Sequence, residues 1–106
     1  MNVLFICNQN QNRSKTAEEI FKGRFNTKSA GLYNSKPVNK KQISWADAII
    51  VMEEAQRSEI ANRFPKQYIL KRIHSLDIPD VYYYNQPRLI NILNSKIDEL
   101  FEPFIK

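Results

Sequence analysis

Three side chains near the start of the sequence have the types and spacing to handle a phosphate: Cys7, Arg13 and Ser14. A cysteine thiolate is a strong nucleophile. A guanidinium can hold two equatorial phosphate oxygens at once and follow them as the phosphorus flattens. A hydroxyl can donate to the sulfur and keep it ionised. Five polar residues, Asn8, Gln9, Asn10, Gln11 and Asn12, separate Cys7 from Arg13. That is enough chain to wrap a tetrahedral anion and return both side chains to one atom. Asn10, in mid-loop, suits a left-handed turn, which asparagine tolerates better than most residues.

The flanking sequence explains how such residues would be held. Val3-Leu4-Phe5-Ile6 is a short apolar run with the character of a buried strand. After the polar loop, Ala17, Ile20, Phe21 and Phe25 recur at helical spacing, predicting a helix from Arg13 or Ser14 to near Asn26. A loop between strand and helix turns backbone N–H groups inward, and the helix dipole adds positive potential. A cation is unfavourable at a helix N-terminus, so an arginine placed there invites an anion. Each residue has a plainer reading: Cys7 as a small buried hydrophobe, Arg13 as a solvated first-turn side chain, Ser14 as a helix cap. A packing cysteine has no use for the loop, arginine and helix start that come after it. Cysteine and arginine six apart form a short pattern, and the strand before and helix after make it specific.

At 106 residues the chain is read as one domain, 1–106, with a single core. Its 42% apolar content suits a globular protein. Four apolar residues after Met1-Asn2 are too few for a signal peptide or membrane span. One cysteine cannot staple the fold, which points to the reducing cytoplasm. One histidine and one cysteine argue against a zinc site, so neither metal nor cofactor is expected. The net charge of +5 would attract anionic substrates or simply keep the surface soluble. Lysines and arginines are spread out, so neither a nucleic-acid nor a membrane partner is expected.

Further along, Thr27 to Gly31 reads as a second strand. Ser35-Lys36-Pro37 reads as the start of a short helix carrying Val38, Ile43 and Trp45 inward. Ala48 to Met52 is a continuous apolar run, hence a strand buried on both faces. A polar helix is predicted from Glu53 to Phe64, stopped by Pro65. Tyr68-Ile69-Leu70 and Arg72-Ile73-His74 bracket a fourth strand. After a long loop, Pro87 opens a last helix with Leu89, Ile90, Leu93, Ile97, Leu100, Phe101 and Phe104 as its stripe. Strands alternating with helices predict an α/β fold, a flavodoxin-like three-layer sandwich. Its four-stranded parallel sheet, in order 2-1-3-4, would carry helices on both faces. The ligand crevice would lie at the carboxyl end of strand 1, beside Cys7.

Val3 to Glu18 resembles the low-molecular-weight protein tyrosine phosphatases in its pattern Val-Leu-Phe-Ile-Cys-x-x-Asn-x-x-Arg-Ser-x-x-Ala-Glu. The likeness continues through Ser29-Ala30-Gly31, Ala46 to Met52, and Pro79-Asp80-Val81-Tyr82-Tyr83. The resemblance implies Cys7 as nucleophile, Arg13 as phosphate and transition-state binder, Ser14 as thiolate stabiliser and Asp80 as general acid. It implies a phosphate-binding loop from Asn8 to Ser14 and a substrate wall of Tyr82 and Tyr83, with Tyr84 and Tyr33 as weaker candidates. A phosphorylated protein or a small aryl phosphate would be the substrate, and a monomer or weak dimer the working form. Asp77 is the alternative acid. Asp80 is preferred because it precedes two tyrosines, although Val81 stands where the family usually has proline.

The loop departs from the family pattern. Asn8 and Gln11 replace apolar residues that flank a substrate ring, and so grip a phenyl group less well. Gln9 replaces the usual glycine, and Asn12 stands where many members carry a second, protective cysteine. An arsenate reductase would need further cysteines that this chain lacks. A cysteine phosphocarrier would need neither Arg13 nor Asp80. A non-catalytic phosphopeptide-binding module would keep the arginine without turning over.

Overall fold

The computed structural model describes residues 1–101. Its elements run in the order β1 (Asn2–Cys7), α1 (Arg13–Phe21), β2 (Asn26–Gly31), α2 (Lys40–Trp45), β3 (Ala48–Val51), α3 (Glu54–Arg63), α4 (Pro65–Leu70), β4 (Arg72–Ser75) and α5 (Pro87–Phe101). The four strands form one parallel sheet in the order β2-β1-β3-β4.

β1 is central, and its side chains alternate between two apolar layers. Val3, Phe5 and Cys7 face α1 and α5, where they meet Ala17, Phe21, Leu89, Leu93 and Ile97. Phe5 stacks on Phe21 with ring centroids 5.8 Å apart. Leu4 and Ile6 face the other way, onto Val38, Ile43 and Ile60. Helices therefore cover both faces, and every residue of β3 is buried. No helix of the described residues is long and apolar enough to cross a membrane.

Several boundaries differ from the sequence reading, each for a local reason. α1 stops at Phe21, because the Arg24 and Phe25 amides both turn back onto the Phe21 carbonyl. The chain can then enter β2 at Asn26, where its amide bonds the Met1 carbonyl. α2 begins at Lys40, not near Pro37, because Asn39 caps it in a reciprocal box with Gln42. α3 ends at Arg63, ahead of Pro65 as expected, but Pro65 also opens a separate helix, α4, at a position where its missing N–H costs no bond. Tyr68-Ile69-Leu70 therefore lie in α4, and the fourth strand is confined to Arg72–Ser75. Phe104, expected on the last helix's stripe, lies outside the described residues.

Candidate active site

The strand order puts the carboxyl end of β1 between those of β2 and β3, so the segments that leave these three strands meet at one place. The loop after Cys7 is pinned there by β2, whose extension donates from Leu32 and Tyr33 to the Asn8 carbonyl at 3.0 and 2.9 Å. Asn10 has φ of 55°, the left-handed turn expected in mid-loop. Cys7, Gln9, Gln11, Asn12, Arg13 and Asp80 line a hollow of about 40 Å³.

Cys7 is buried, with its Sγ 2.9 Å from Ser14 Oγ. Ser14 Oγ lies 2.8 Å from Asn10 Oδ1. A hydroxyl has a single proton to give. Donated to Asn10, it leaves Ser14 to accept from the thiol. With the Asn10 amide turned so that its NH2 faces Ser14, the same hydroxyl donates to a thiolate. The two amide orientations occupy the same space. Asn10 thus shapes the loop and sets the proton of Ser14, while neither side chain lines the hollow.

Arg13 is only 2% exposed, although it opens α1. Its Nη1 donates to Glu53 Oε2 at 2.9 Å and to the Ile78 carbonyl at 2.7 Å. A buried guanidinium needs such acceptors, because its desolvation is costly. Glu53 comes shortly after β3 and caps α3. Gln56, buried in the first turn of α3, accepts the Met52 and Glu53 amides at 2.8 and 3.0 Å and donates to Asn8 Oδ1 at 3.1 Å. The start of α3 thereby holds both ends of the loop between Cys7 and Arg13.

Asp80 stands across the hollow, 60% exposed, with Oδ1 3.8 Å from Arg13 Nε, an ion-pair separation too long for a hydrogen bond. Asp77 is elsewhere. It has φ of 53° and lines a separate groove with Ser75, Leu76, Lys96, Glu99 and Leu100. Tyr82 packs against the core and Tyr83 stands 64% exposed, and neither lines the hollow. Among the described residues, no group of three or more His, Cys, Asp or Glu side chains could share a metal ion.

The structure therefore brings Cys7, Arg13 and Asp80 together at one hollow. Glu53, Gln56 and the Ile78 carbonyl were missed. The position of Glu53, just past the apolar run that ends at Met52, was a visible signal, since strand order places it beside Cys7. Glutamine three residues after Glu53 also has capping-box spacing.

Solved structures share this fold. The low-molecular-weight protein tyrosine phosphatase from T. tengcongensis superposes with a TM-score of 0.79 at 20% identity, over 97% of this chain and 99% of that one. The chain has the low-molecular-weight protein tyrosine phosphatase fold. The tyrosine phosphatase AmsI of Erwinia amylovora superposes at 0.80 with 15% identity, over 99% and 93% of the two chains. The arginine phosphatase YwlE of Geobacillus stearothermophilus does so at 0.65 with 20% identity, over 93% and 84%. No family model matches the sequence, and no curated protein matches it.

Proposed function

We propose that the chain is a phosphomonoester hydrolase of the protein tyrosine phosphatase kind, working through a cysteinyl phosphate. The observation that carries this reading is the convergence of Cys7, Arg13 and Asp80 on one hollow, with Ser14 2.9 Å behind the sulfur. In the first step the Cys7 thiolate attacks phosphorus. The P–S bond forms as the P–O bond to the leaving group breaks, and Asp80 gives its proton to the leaving oxygen. In the second step water attacks phosphorus, Asp80 takes a proton from that water, and the P–S bond breaks to return the thiolate and free phosphate. Arg13 and the loop amides hold the equatorial oxygens throughout. Arg13 enters this step already oriented, because Glu53 and Ile78 fix one of its nitrogens.

The substrate would be a phosphorylated protein or a small aryl phosphate, and the protein a monomer or weak dimer in a reducing cytoplasm. The test is hydrolysis of p-nitrophenyl phosphate by the wild type and Arg13→Lys. A lysine supplies a point charge and not a planar fork. The variant should lose on the order of a hundredfold in kcat, as when one preorganised oxyanion donor is removed. Equal rates would overturn the role given to Arg13.

One observation favours a second reading. The exposed rim of the hollow carries the amides of Gln9 and Gln11 and the carboxylate of Asp80, with no aromatic side chain in its lining. Amide oxygens and a carboxylate suit a leaving group rich in N–H donors, as in a phosphorylated arginine, and the fold is shared with an arginine phosphatase. Comparing kcat/KM for phosphoarginine and phosphotyrosine in one peptide separates the two.

A further inference from the structure

The loop that carries Asp80 is fastened at both ends. At its start, the Ile78 amide donates to the Met52 carbonyl at 2.8 Å and the Ile78 carbonyl accepts from Arg13. At its far end, two side chains of the opposite loop and helix receive its backbone. Asn12 Oδ1 accepts the Tyr84 amide at 2.9 Å, and Thr16 Oγ1 accepts the Asn85 amide at 2.8 Å. Thr16 is fully buried, and its one proton is committed to the Asn12 carbonyl at 2.7 Å. Its lone pair is therefore aimed and available for Asn85. Asn85, with φ of 61°, makes the left-handed turn that leads on to Pro87 and α5.

We propose that Asn12 and Thr16 are positioning residues that clamp the acid loop to the phosphate loop and so hold Asp80 over Cys7. Asn12 is the particular feature of this chain, standing where a second cysteine is common in the resembled family. A thiol is a weak acceptor and offers the Tyr84 amide much less than an amide oxygen does. Asn12 is the N-cap of the helix that presents Arg13, and Thr16 sits one turn further along it. Any slip of the acid loop against α1 would then shift the proton donor relative to the phosphorus. A misplacement of about 1 Å can cost on the order of a hundredfold in rate.

The proposal rests on Asp80 being the general acid, so its test has two arms. The first needs no activity. Backbone order parameters measured by 15N relaxation at Tyr84 and Asn85 should be near ~0.85 in the wild type and fall below ~0.6 in Asn12→Ala and Thr16→Val. Asn12→Asp and Thr16→Ser keep an acceptor oxygen and should stay rigid, which guards against Thr16→Val simply misfolding. The second arm compares aryl phosphates. Asn12→Ala should lose about tenfold or more on phenyl phosphate, whose leaving group needs protonation, and about threefold or less on p-nitrophenyl phosphate. A loop that remains ordered in Asn12→Ala overturns the clamp. An equal loss on both substrates overturns its link to Asp80. A wild type that is ordered as expected but releases no phosphate sinks the phosphatase reading and leaves the clamp standing.

Discussion

The Arg13 guanidinium donates to the Glu53 carboxylate at 2.9 Å, across 40 residues of chain. This contact gives a buried cation a counter-charge and, with the Ile78 carbonyl, leaves its orientation little freedom. Glu53 is 39% exposed, so solvent screens the pair and its worth lies more in geometry than in stability. Glu53→Ala should lower kcat on p-nitrophenyl phosphate by about tenfold or more, since misaligned groups are costly in rate. Glu53→Gln keeps an acceptor oxygen and should lose less. If both variants fall equally far, the negative charge matters and the bracing does not.

Asp80 and Asp77 should separate cleanly. Asp80→Asn should cost on the order of a hundredfold on phenyl phosphate and much less on p-nitrophenyl phosphate, because general acid help matters most for a poor leaving group. Asp77→Asn should keep the wild-type dependence on the leaving group. Its left-handed backbone is also one that asparagine accepts. The two dependences, measured across a series of substituted phenyl phosphates, decide the assignment.

Much of the molecule is legible in the sequence, for reasons that are local. The β1 run, polar loop and α1 stripe are contiguous, so the loop that borders the hollow can be read from Val3 to Phe21. The alternation of strands and helices then orders the sheet as observed. The rest depends on distant partners. Arg13 meets Glu53 and Ile78, and Asn12 meets Tyr84 across 72 residues. Pro65 misleads because proline ends one helix and begins another with the same φ, and only the chain after it decides. Tyr82 and Tyr83 share an aromatic character that says nothing of which one turns to the core.

The left-handed turn at Asn10 predicts an asymmetric response to substitution. Asn10→Gly should keep the loop's backbone, whereas Asn10→Val should cost about 1–2 kcal/mol. Thermal unfolding should place Asn10→Val roughly 4–8 °C or more below wild type. Both variants should lose activity, because both remove the group that sets the Ser14 proton. A valine variant as stable as the glycine one would contradict the turn.

His74, on β4, has its pKa lowered first by burial and then by Arg72 and Arg57. In the unfolded chain it takes up a proton near its ordinary value of 6.5, while in the folded chain it remains neutral to lower pH. The unfolded state therefore binds more protons as pH falls below 6.5, and this group's stabilising contribution is lost there. The melting temperature should start to drop as pH falls below about 6.5, and His74→Gln should flatten that drop. An unchanged slope in the variant would assign the acid sensitivity elsewhere.

The whole account depends on a phosphoryl group passing through the sulfur of Cys7. Acid-quenched turnover of p-nitrophenyl phosphate, read by mass spectrometry of the Cys7 peptide, tests it most directly. The account predicts a burst of one nitrophenol per chain, one phosphoryl group on Cys7, and neither in Cys7→Ser. Steady hydrolysis by Cys7→Ser, or turnover by the wild type with Cys7 never phosphorylated, would contradict it.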